Sequence, residues 1–504
     1  MGKKTTPFSS GSPFPRVVVI LAALPLAACA VGPNFQKPDP PPVSGYTAGP
    51  LSVTSGTTNV AGGEAQGFVT SRDIPGEWWT LFHSEALNTL VEYSLKNNPN
   101  IKAAQAALRV AQENVLVQKG AFFPSVGASF SASRSQTSEA LSPVPNANDF
   151  LFNLYTPQVF VSYVPDVFGL NRRSVEALEA QAEQQRYALA ATHITLSANV
   201  VAAAIQEASL RAQIDATNQL IKLNTDMVEV LRTQFSKGYA SGLDLAAQEA
   251  QLAQVSATLP PLLKQLAQQR DLLAALSGGF LSADFAEWYS TQRFELSSLQ
   301  LPQELPVSLP SELVEQRPDV RQAEENLHAA SAQIGVAVAN RLPSFTIFAN
   351  AGTAALAVSQ MFAPGVGFWT LGQSVLVPVF QGGALMHKER AAEAAYVEAA
   401  EQYRAAVLTA FQNVADTLNA LEQDADALKA AAAAEVAART TLDLAKRQWR
   451  AGYSNYLALL NAEQAYQQAL INLVQAQASR YSDTAALFVA LGGGWWSRTD
   501  IAKD

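Results

Sequence analysis

The chain repeats itself at a long and nearly constant interval, which limits it to folds built from two similar halves. Matching residues lie 219 positions apart early in the chain and 214 apart later: Pro99 and Pro318, Pro124 and Pro343, Gly238 and Gly452, and Glu249 and Glu463. Self-similarity of this kind indicates a duplicated structural unit. A linker rich in proline and glycine, from Ser277 to Pro310, separates the copies.

Each copy contains two segments in which small polar and apolar residues alternate. The first runs from Ser125 to Ser133, and the others cover 152–163, 344–355 and 368–376, with a polar loop predicted at 142–149. Alternation with a period of two fits a strand between water and lipid. A face of a soluble β-sandwich would alternate in the same way. Aromatic residues crowd the predicted strand ends and favour lipid: Phe122, Phe123, Phe160, Tyr163, Phe368, Trp369 and Phe380.

A very long helical tract follows each pair of strands. No proline occurs between Leu170 and Leu259, nor after Pro378. At ~1.5 Å per residue, the part from Leu170 to about Ser209 alone would reach ~60 Å. Alanines recur at helical spacing between Ala394 and Ala406 and permit close coiled packing. Both a solvent-exposed coiled coil and the wall of a helical tunnel fit this pattern.

The N-terminus resembles the leader of a bacterial lipoprotein. Lys3, Lys4 and Arg16 precede an apolar stretch that ends in Leu26-Ala27-Ala28-Cys29, and Cys29 is the only cysteine. The stretch is shorter than the ~20 residues needed to cross a bilayer, so it is predicted to be a cleaved signal. The resemblance to a lipobox implies that a lipid is attached to Cys29. An ordinary signal peptide with a chance cysteine is the alternative.

Composition excludes several classes of protein. The net charge is −9, whereas a protein that binds nucleic acid usually carries a basic surface. Hydrophobic residues make up 48% of the chain, yet no segment after the leader has the uninterrupted apolar length expected of a membrane helix. The histidines His83, His193, His328 and His387 are isolated in sequence, so no metal site or other cofactor is predicted and the chain is not expected to be an enzyme.

The strand count predicts that several copies assemble. Four strands cannot close a barrel, since the smallest membrane barrels have about eight. Because unpaired strand edges are not tolerated in lipid, copies of the chain would have to combine their strands. Three chains would supply roughly a dozen strands, enough to surround a pore.

Five motifs spread over the mature chain match a known family. They are Cys29 to Phe35, Trp78-Trp79 with Phe82, Leu309 to Leu313 running into Arg317 to Arg321, Pro378 to Gly383, and Ala490 to Trp495. In these motifs the chain resembles the TolC-like outer-membrane efflux proteins, specifically the lipoproteins that serve resistance-nodulation-division pumps. Small departures are Ser308, where glycine is common, and Gln381, where aspartate is common.

The resemblance implies an α+β membrane protein. Three chains with four strands each would form an outer-membrane β-barrel, continued by a long helical barrel into the periplasm. The expected divisions are a signal peptide at 1–28, a lipidated extended segment at 29–86, a first repeat at 87–278 with strands within 122–165, a linker at 279–310, a second repeat at 311–496 with strands within 343–380, and a tail at 497–504.

The implied function is passive conduction of small molecules to the exterior. The expected partners are two further copies of the chain, a periplasmic adaptor, an inner-membrane resistance-nodulation-division pump and outer-membrane lipid, with no nucleic acid. Two alternatives stay open at this point. One is a type I-like protein secretion duct, and the other is a non-conducting periplasmic coiled-coil lipoprotein.

A periplasmic gate is expected where the long helices turn. The repeat interval places the turns near 209–215 and 423–428. Candidate gate residues surround the second of these: Asp416, Leu421, Glu422, Asp424 and Asp426. Threefold symmetry would turn a carboxylate facing the lumen into a ring that favours cations. A solvated helix face, with Leu421 in a coiled-coil core, would explain the same residues.

Overall fold

The computed structural model describes residues 30–47, 49–70, 72–136, 151–280 and 282–498. The predicted signal peptide, the lipidation site Cys29, the predicted loop at 142–149 and most of the predicted tail lie outside the described residues.

Long helices dominate the described chain, and strands are few. The α-helices are α1 (Glu85–Asn97), α2 (Pro99–Lys119), α3 (Leu170–Ser236), α4 (Gly242–Leu276), α5 (Ala283–Thr291), α6 (Pro310–Gln316), α7 (Pro318–Ala339), α8 (Ala384–Arg450) and α9 (Tyr456–Ala490). The strands are β1 (Gly67–Thr70), β2 (Ser125–Gln136), β3 (Leu151–Tyr163), β4 (Glu304–Val307), β5 (Ser344–Thr353) and β6 (Gly367–Leu376).

Four strands form one antiparallel sheet in the order β2-β3-β5-β6. They lie where the alternating pattern predicts strands, because a period of two places polar and apolar residues on opposite faces of a pleated sheet. The parallel pair of β1 with β4 was not predicted. Its two segments are only four residues long and far apart in sequence, so no local pattern indicates the pairing.

Each repeat contains one longer and one shorter helix, and the corresponding helices of the two repeats have equal lengths. Helices α3 and α8 each contain 67 residues, and α4 and α9 each contain 35. At ~1.5 Å per residue each helix of the longer pair spans ~100 Å, because α3 continues past Ser209, where the sequence places the first turn. Helix α4 runs through Pro260 and Pro261, each of which removes one backbone hydrogen-bond donor from the helix.

The predicted positions of the helical turns are wrong. Helices α3 and α8 continue without a break through 209–215 and 423–428, and the chain turns at 237–241 and 451–455. The physical reason is local. Gly238 and Gly452 adopt the left-handed conformation, with φ of 74° and 76°, which ends a helix at low cost. The side chains of Ser241 and Asn455 then cap the next helices.

The described chain divides into two compact units. The sheet unit comprises the described parts of Met1–Gln36, Val110–Ala182 and Glu325–Ala400, and includes the four-stranded sheet. The helix unit comprises the described parts of Lys37–Arg109, Glu183–Glu324 and Glu401–Asp504. Its main core is rich in aromatic residues, and the ring of Trp78 stacks on Phe488 with centroids 5.6 Å apart.

One expectation from hydropathy needs correction. Helix α3 contains an 18-residue window with a mean hydropathy of 1.6 and no more than two charged residues, which is apolar enough to cross a membrane. However, 61% of this window is buried within the protein, as expected for a core helix. Alanine and valine residues raise the hydropathy of this helix, and several of them, including Val200, Val201 and Ala204, are buried.

Candidate functional site

The pairing register of the sheet separates an apolar face from a more polar one. Directly opposed residues in neighbouring strands point to the same face. One such row across the four strands contains Val126, Val161, Ala349 and Leu371. The adjacent row contains Gly127, Phe160, Asn350 and Thr370. The faces predicted from the sequence of single strands therefore extend across the whole sheet.

Large apolar side chains on the first face are exposed. The side chains of Trp369 and Leu371 are 78% and 69% exposed, and those of Val126 and Phe130 are 69% and 61% exposed. A contiguous apolar surface of this kind marks contact with a membrane or another protein. Within the described chain, the edge strands β2 and β6 each have one neighbour, so each has a free hydrogen-bonding edge.

The structure places the five candidate gate residues in the middle of α8. Gly452, at the actual turn, lies ~40 Å along the helix from Asp424, at ~1.5 Å per residue. Asp416 and Glu422 are exposed, and Asp416 accepts a bond from Gln412 one turn earlier. Leu421 is fully buried in the main core. The coiled-coil explanation therefore applies to Leu421.

A segment near the N-terminus, residues 49–66, lies beside the candidate gate residues, and we call it the N-terminal strap. The hydroxyl of Ser55 in the strap donates to Asp426 at 2.7 Å. Arg480 of α9 is only 1% exposed and donates to the carbonyl oxygen of Leu421 at 2.6 Å and to the hydroxyl of Thr54 at 2.8 Å. Helices α8 and α9 and the strap are thus joined through one buried guanidinium group.

Asp424 lies near this guanidinium group and is hydrogen-bonded to a second carboxyl group, that of Asp483. Burial raises the pKa of Asp424 to about 7, and Asp483 adds to the rise by a hydrogen bond and by its charge, while Arg480 opposes it. Because two adjacent carboxylates repel each other, this contact favours the protonated form of Asp424. Burial also lowers the pKa of Arg480, although the charges of Asp424 and Glu64 partly offset this.

A second buried carboxyl group lies near the helical turns. Glu463 of α9 is 2% exposed, and neither of its oxygens has a hydrogen-bond partner within the described chain. Burial raises its pKa to about 7, with Lys446 opposing the rise. Its counterpart in the first repeat, Glu249, is exposed and forms an ion pair with Arg232 at 2.7 Å. The repeat relates these glutamates, but sequence alone does not reveal which one is buried.

The ends of the two long helical hairpins expose matched apolar residues. Tyr239 and Tyr453 are 82% and 88% exposed, and Leu243 and Leu457 are 78% and 59% exposed. These pairs are also 214 residues apart. Among the described residues, no group of three or more His, Cys, Asp or Glu side chains is arranged to hold a metal ion.

Comparison with known proteins assigns the chain to a family. The model of the outer membrane efflux protein family matches residues 90–279 and 309–493, which together are most of the chain. The chain belongs to the outer membrane efflux protein family. This outer membrane efflux protein is therefore located in the outer membrane and extends into the periplasm. The family consists of channels and not of enzymes.

Relatives and solved structures agree with this assignment. The toluene efflux pump outer membrane protein TtgC of Pseudomonas putida is 29% identical over 485 residues, which cover 96% of each chain. The pyoverdine export outer membrane protein OpmQ of Pseudomonas aeruginosa is 28% identical over 85% of this chain and 89% of its own. The structure of the outer-membrane channel OprN has a TM-score of 0.81 at 25% identity and covers 93% of this chain and 100% of its own.

The pair of Asp424 and Asp483 predicts a specific pH dependence of stability. A carboxyl group whose pKa is higher in the folded state stabilises the fold fully below its unfolded value of ~4, and this stabilisation is lost as the pH rises through the folded value. Replacing Asp424→Asn should therefore reduce the fall in thermal stability between about pH 5 and about pH 8. The unfolding temperature of each variant at the two pH values, followed by circular dichroism, measures this fall. Asp443→Asn, on an exposed part of α8, is the control, and an unchanged fall in the Asp424 variant would contradict the prediction.

The burial of Glu463 predicts that the same substitution has different effects on stability in the two repeats. At about pH 8 the ionised carboxylate is buried without a partner, so Glu463→Gln should stabilise the protein by about 1–2 kcal/mol. The gain should shrink at about pH 5, where the native carboxyl group is protonated. The matched Glu249→Gln variant breaks an exposed ion pair and should produce no gain. Equal thermal shifts for the two variants would contradict this account.

Proposed function

We propose that three copies of the chain assemble into an outer-membrane channel that conducts small molecules passively. The observation that supports this most is the four-stranded sheet, which has two free edges and an exposed apolar face. In lipid, such edges must be paired. Since β2 and β6 run antiparallel within the sheet, β6 of one copy can form an antiparallel pair with β2 of the next copy. Three copies give a closed barrel of twelve strands.

In this assembly the long helices of the three copies continue the barrel into the periplasm, and the two repeats make similar contributions. Equal helix lengths support an internal duplication. The exposed tyrosine and leucine pairs at the hairpin ends suit contact with a partner protein, because amphipathic aromatic side chains are enriched in interfaces. We assign this contact to a periplasmic adaptor that links the channel to a resistance-nodulation-division pump.

The transported compounds are small organic molecules in this proposal. Relatives named for toluene efflux and for pyoverdine export support this class. The pump supplies energy and selects the compound, whereas the channel supplies a path. The channel needs no cofactor, and its one modification is a lipid on Cys29 that holds the mature N-terminus in the outer membrane.

We propose a gate function for Asp416 and Glu422, whose side chains are exposed on α8. These residues lie ~50 Å along the helix from the turn, so the proposed gate lies partway along α8 and not at the hairpin end where the sequence places it. Three copies of each carboxylate around a common axis would attract cations. Asp424 and Asp426 contact Asp483 and Ser55, and Leu421 is buried, so these three residues hold α8 against its neighbours in the proposal.

Native mass spectrometry in detergent, combined with planar-bilayer recording, tests the assembly. The expected species contains three chains and conducts ions, because only the closed barrel satisfies the strand edges. A stable monomer that keeps its strands by circular dichroism and does not conduct would contradict the proposal.

Single-channel recording during a divalent-cation titration tests the gate. Replacing both Asp416 and Glu422 with alanine should weaken block by divalent cations, since the charge that attracts them is removed. The yield of trimer should not change, because both side chains are exposed. Glu393→Ala, at another exposed position of α8, is the control. Equal block in wild type and in the double variant would place the constriction elsewhere.

A further inference from the structure

The first described residues of the chain are held firmly against the sheet unit. We call residues 30–35 the anchor segment, because they directly follow the proposed lipidation site. Arg173 of α3 is 4% exposed and binds three groups of the segment. Its Nε donates to the carbonyl oxygen of Val31 at 3.0 Å, and its Nη2 donates to the carbonyl oxygen of Gly32 at 3.2 Å and to Oδ1 of Asn34 at 2.8 Å.

Packing fixes both ends of the anchor segment. Phe35 stacks on the ring of His328, with centroids 4.4 Å apart and planes 16° apart. Gly32 has a φ of 91°, and a Cβ atom added there would lie 2.4 Å from Cα of Gly335. Two glycines therefore permit the segment to lie directly on α7. A segment that only linked a lipid to the protein would not need so close a fit.

The segment starts beside a cleft in the same unit. The amide of Val31 donates to the carbonyl oxygen of Phe168 at 3.1 Å. A Cβ atom added to Gly169 would lie 2.7 Å from Cα of Ala30. Phe168 and Leu170, on either side of this glycine, both line a cleft of about 240 Å³.

The lining of the cleft has a mixed character that suits an acyl chain and its polar linkage. Its apolar members include Val164, Leu342, Phe345 and Leu376. Its polar members include Asn340 and Asp166, and the charge of Asp166 is paired with Arg172 at 3.2 Å. At ~30 Å³ for each water-sized group, it has room for roughly eight such groups. That is part of one acyl chain with its linkage and not a complete lipid. Each methylene group buried there would strengthen binding about fourfold.

We propose that this cleft binds part of the lipid attached to the protein's own Cys29. The occupant is specified by where the described chain begins. Ala30, which follows Cys29 in the sequence, lies against Gly169, and both neighbours of Gly169 line the cleft. The bonds of Arg173 set the position from which the lipid starts. The inference depends on the lipidation of Cys29 under the proposed function.

Photocrosslinking in cells tests this binding. Cells are supplied with a fatty acid that carries a diazirine and an alkyne, irradiated, and the purified protein is digested for mass spectrometry. The expected product joins the acylated Cys29 peptide to peptides that contain Phe168, Leu342 or Leu376. Cross-links from acylated Cys29 only to phospholipid, or to outward residues such as Trp369, would overturn the proposal. Cross-links of the cleft to free phospholipid that persist equally in Cys29→Ser would also overturn it.

The alkyne distinguishes failure of the cleft from failure of lipidation. Wild type should carry the label on Cys29 before irradiation. A protein without the label would refute lipidation and, with it, the occupant of the cleft. A labelled protein without cleft cross-links would refute the cleft alone.

A matched pair of glycine variants tests the anchor segment without altering the sheet. Gly32→Ala introduces a side chain at a left-handed position against Gly335, and the strain should lower the yield of cleft cross-links about tenfold. Gly45→Ala is the control, because no atom lies within 4 Å of an added Cβ there. Both variants should keep the alkyne label. Equal cross-link yields in the two variants would show that the anchor segment does not direct the lipid.

Discussion

The two free edges of the four-stranded sheet are the constraint on which the assembly depends. Strands β2 and β6 carry backbone N–H and C=O groups that have no strand partner within the described chain. In water such edges would be an aggregation hazard, and in lipid each unpaired group would cost several kcal/mol. The exposed apolar face on the same strands indicates lipid, and in the proposed assembly other copies of the chain pair with these edges.

Buried polar groups are the corresponding constraint in the helix unit. Arg480 connects α8, α9 and the N-terminal strap because its guanidinium group can donate in several directions at once. Burial raises the pKa values of Asp424 and Glu463 and so favours their protonated forms inside the helical packing. The helix unit is therefore expected to respond to protons through its packing, independently of any charge that faces a lumen.

The sequence predicts the local elements well because their signals are periodic or rest on single residues. Alternation locates the four strands, and the lack of proline indicates the long helices. The turns were placed wrongly because the repeat interval says which positions correspond, but not where a helix ends. The helix ends are set by Gly238 and Gly452, which adopt a positive φ at low cost. The partners of Asp424, Leu421 and Asp426 come from residues distant in sequence, so no local pattern could identify them.

Cysteine cross-linking across the proposed subunit boundary tests the central claim most directly. In a Cys29→Ser background the chain has no other cysteine, so each introduced pair reports only on itself. One cysteine replaces Thr370 on the polar face of β6, and a second is moved through Ser129, Ser131 and Ser133 on the same face of β2. The account predicts disulfide-linked chains up to a covalent trimer at one of these positions, with weaker bonding at the others. No disulfide between chains at any position, in protein that has inserted into the outer membrane, would contradict it.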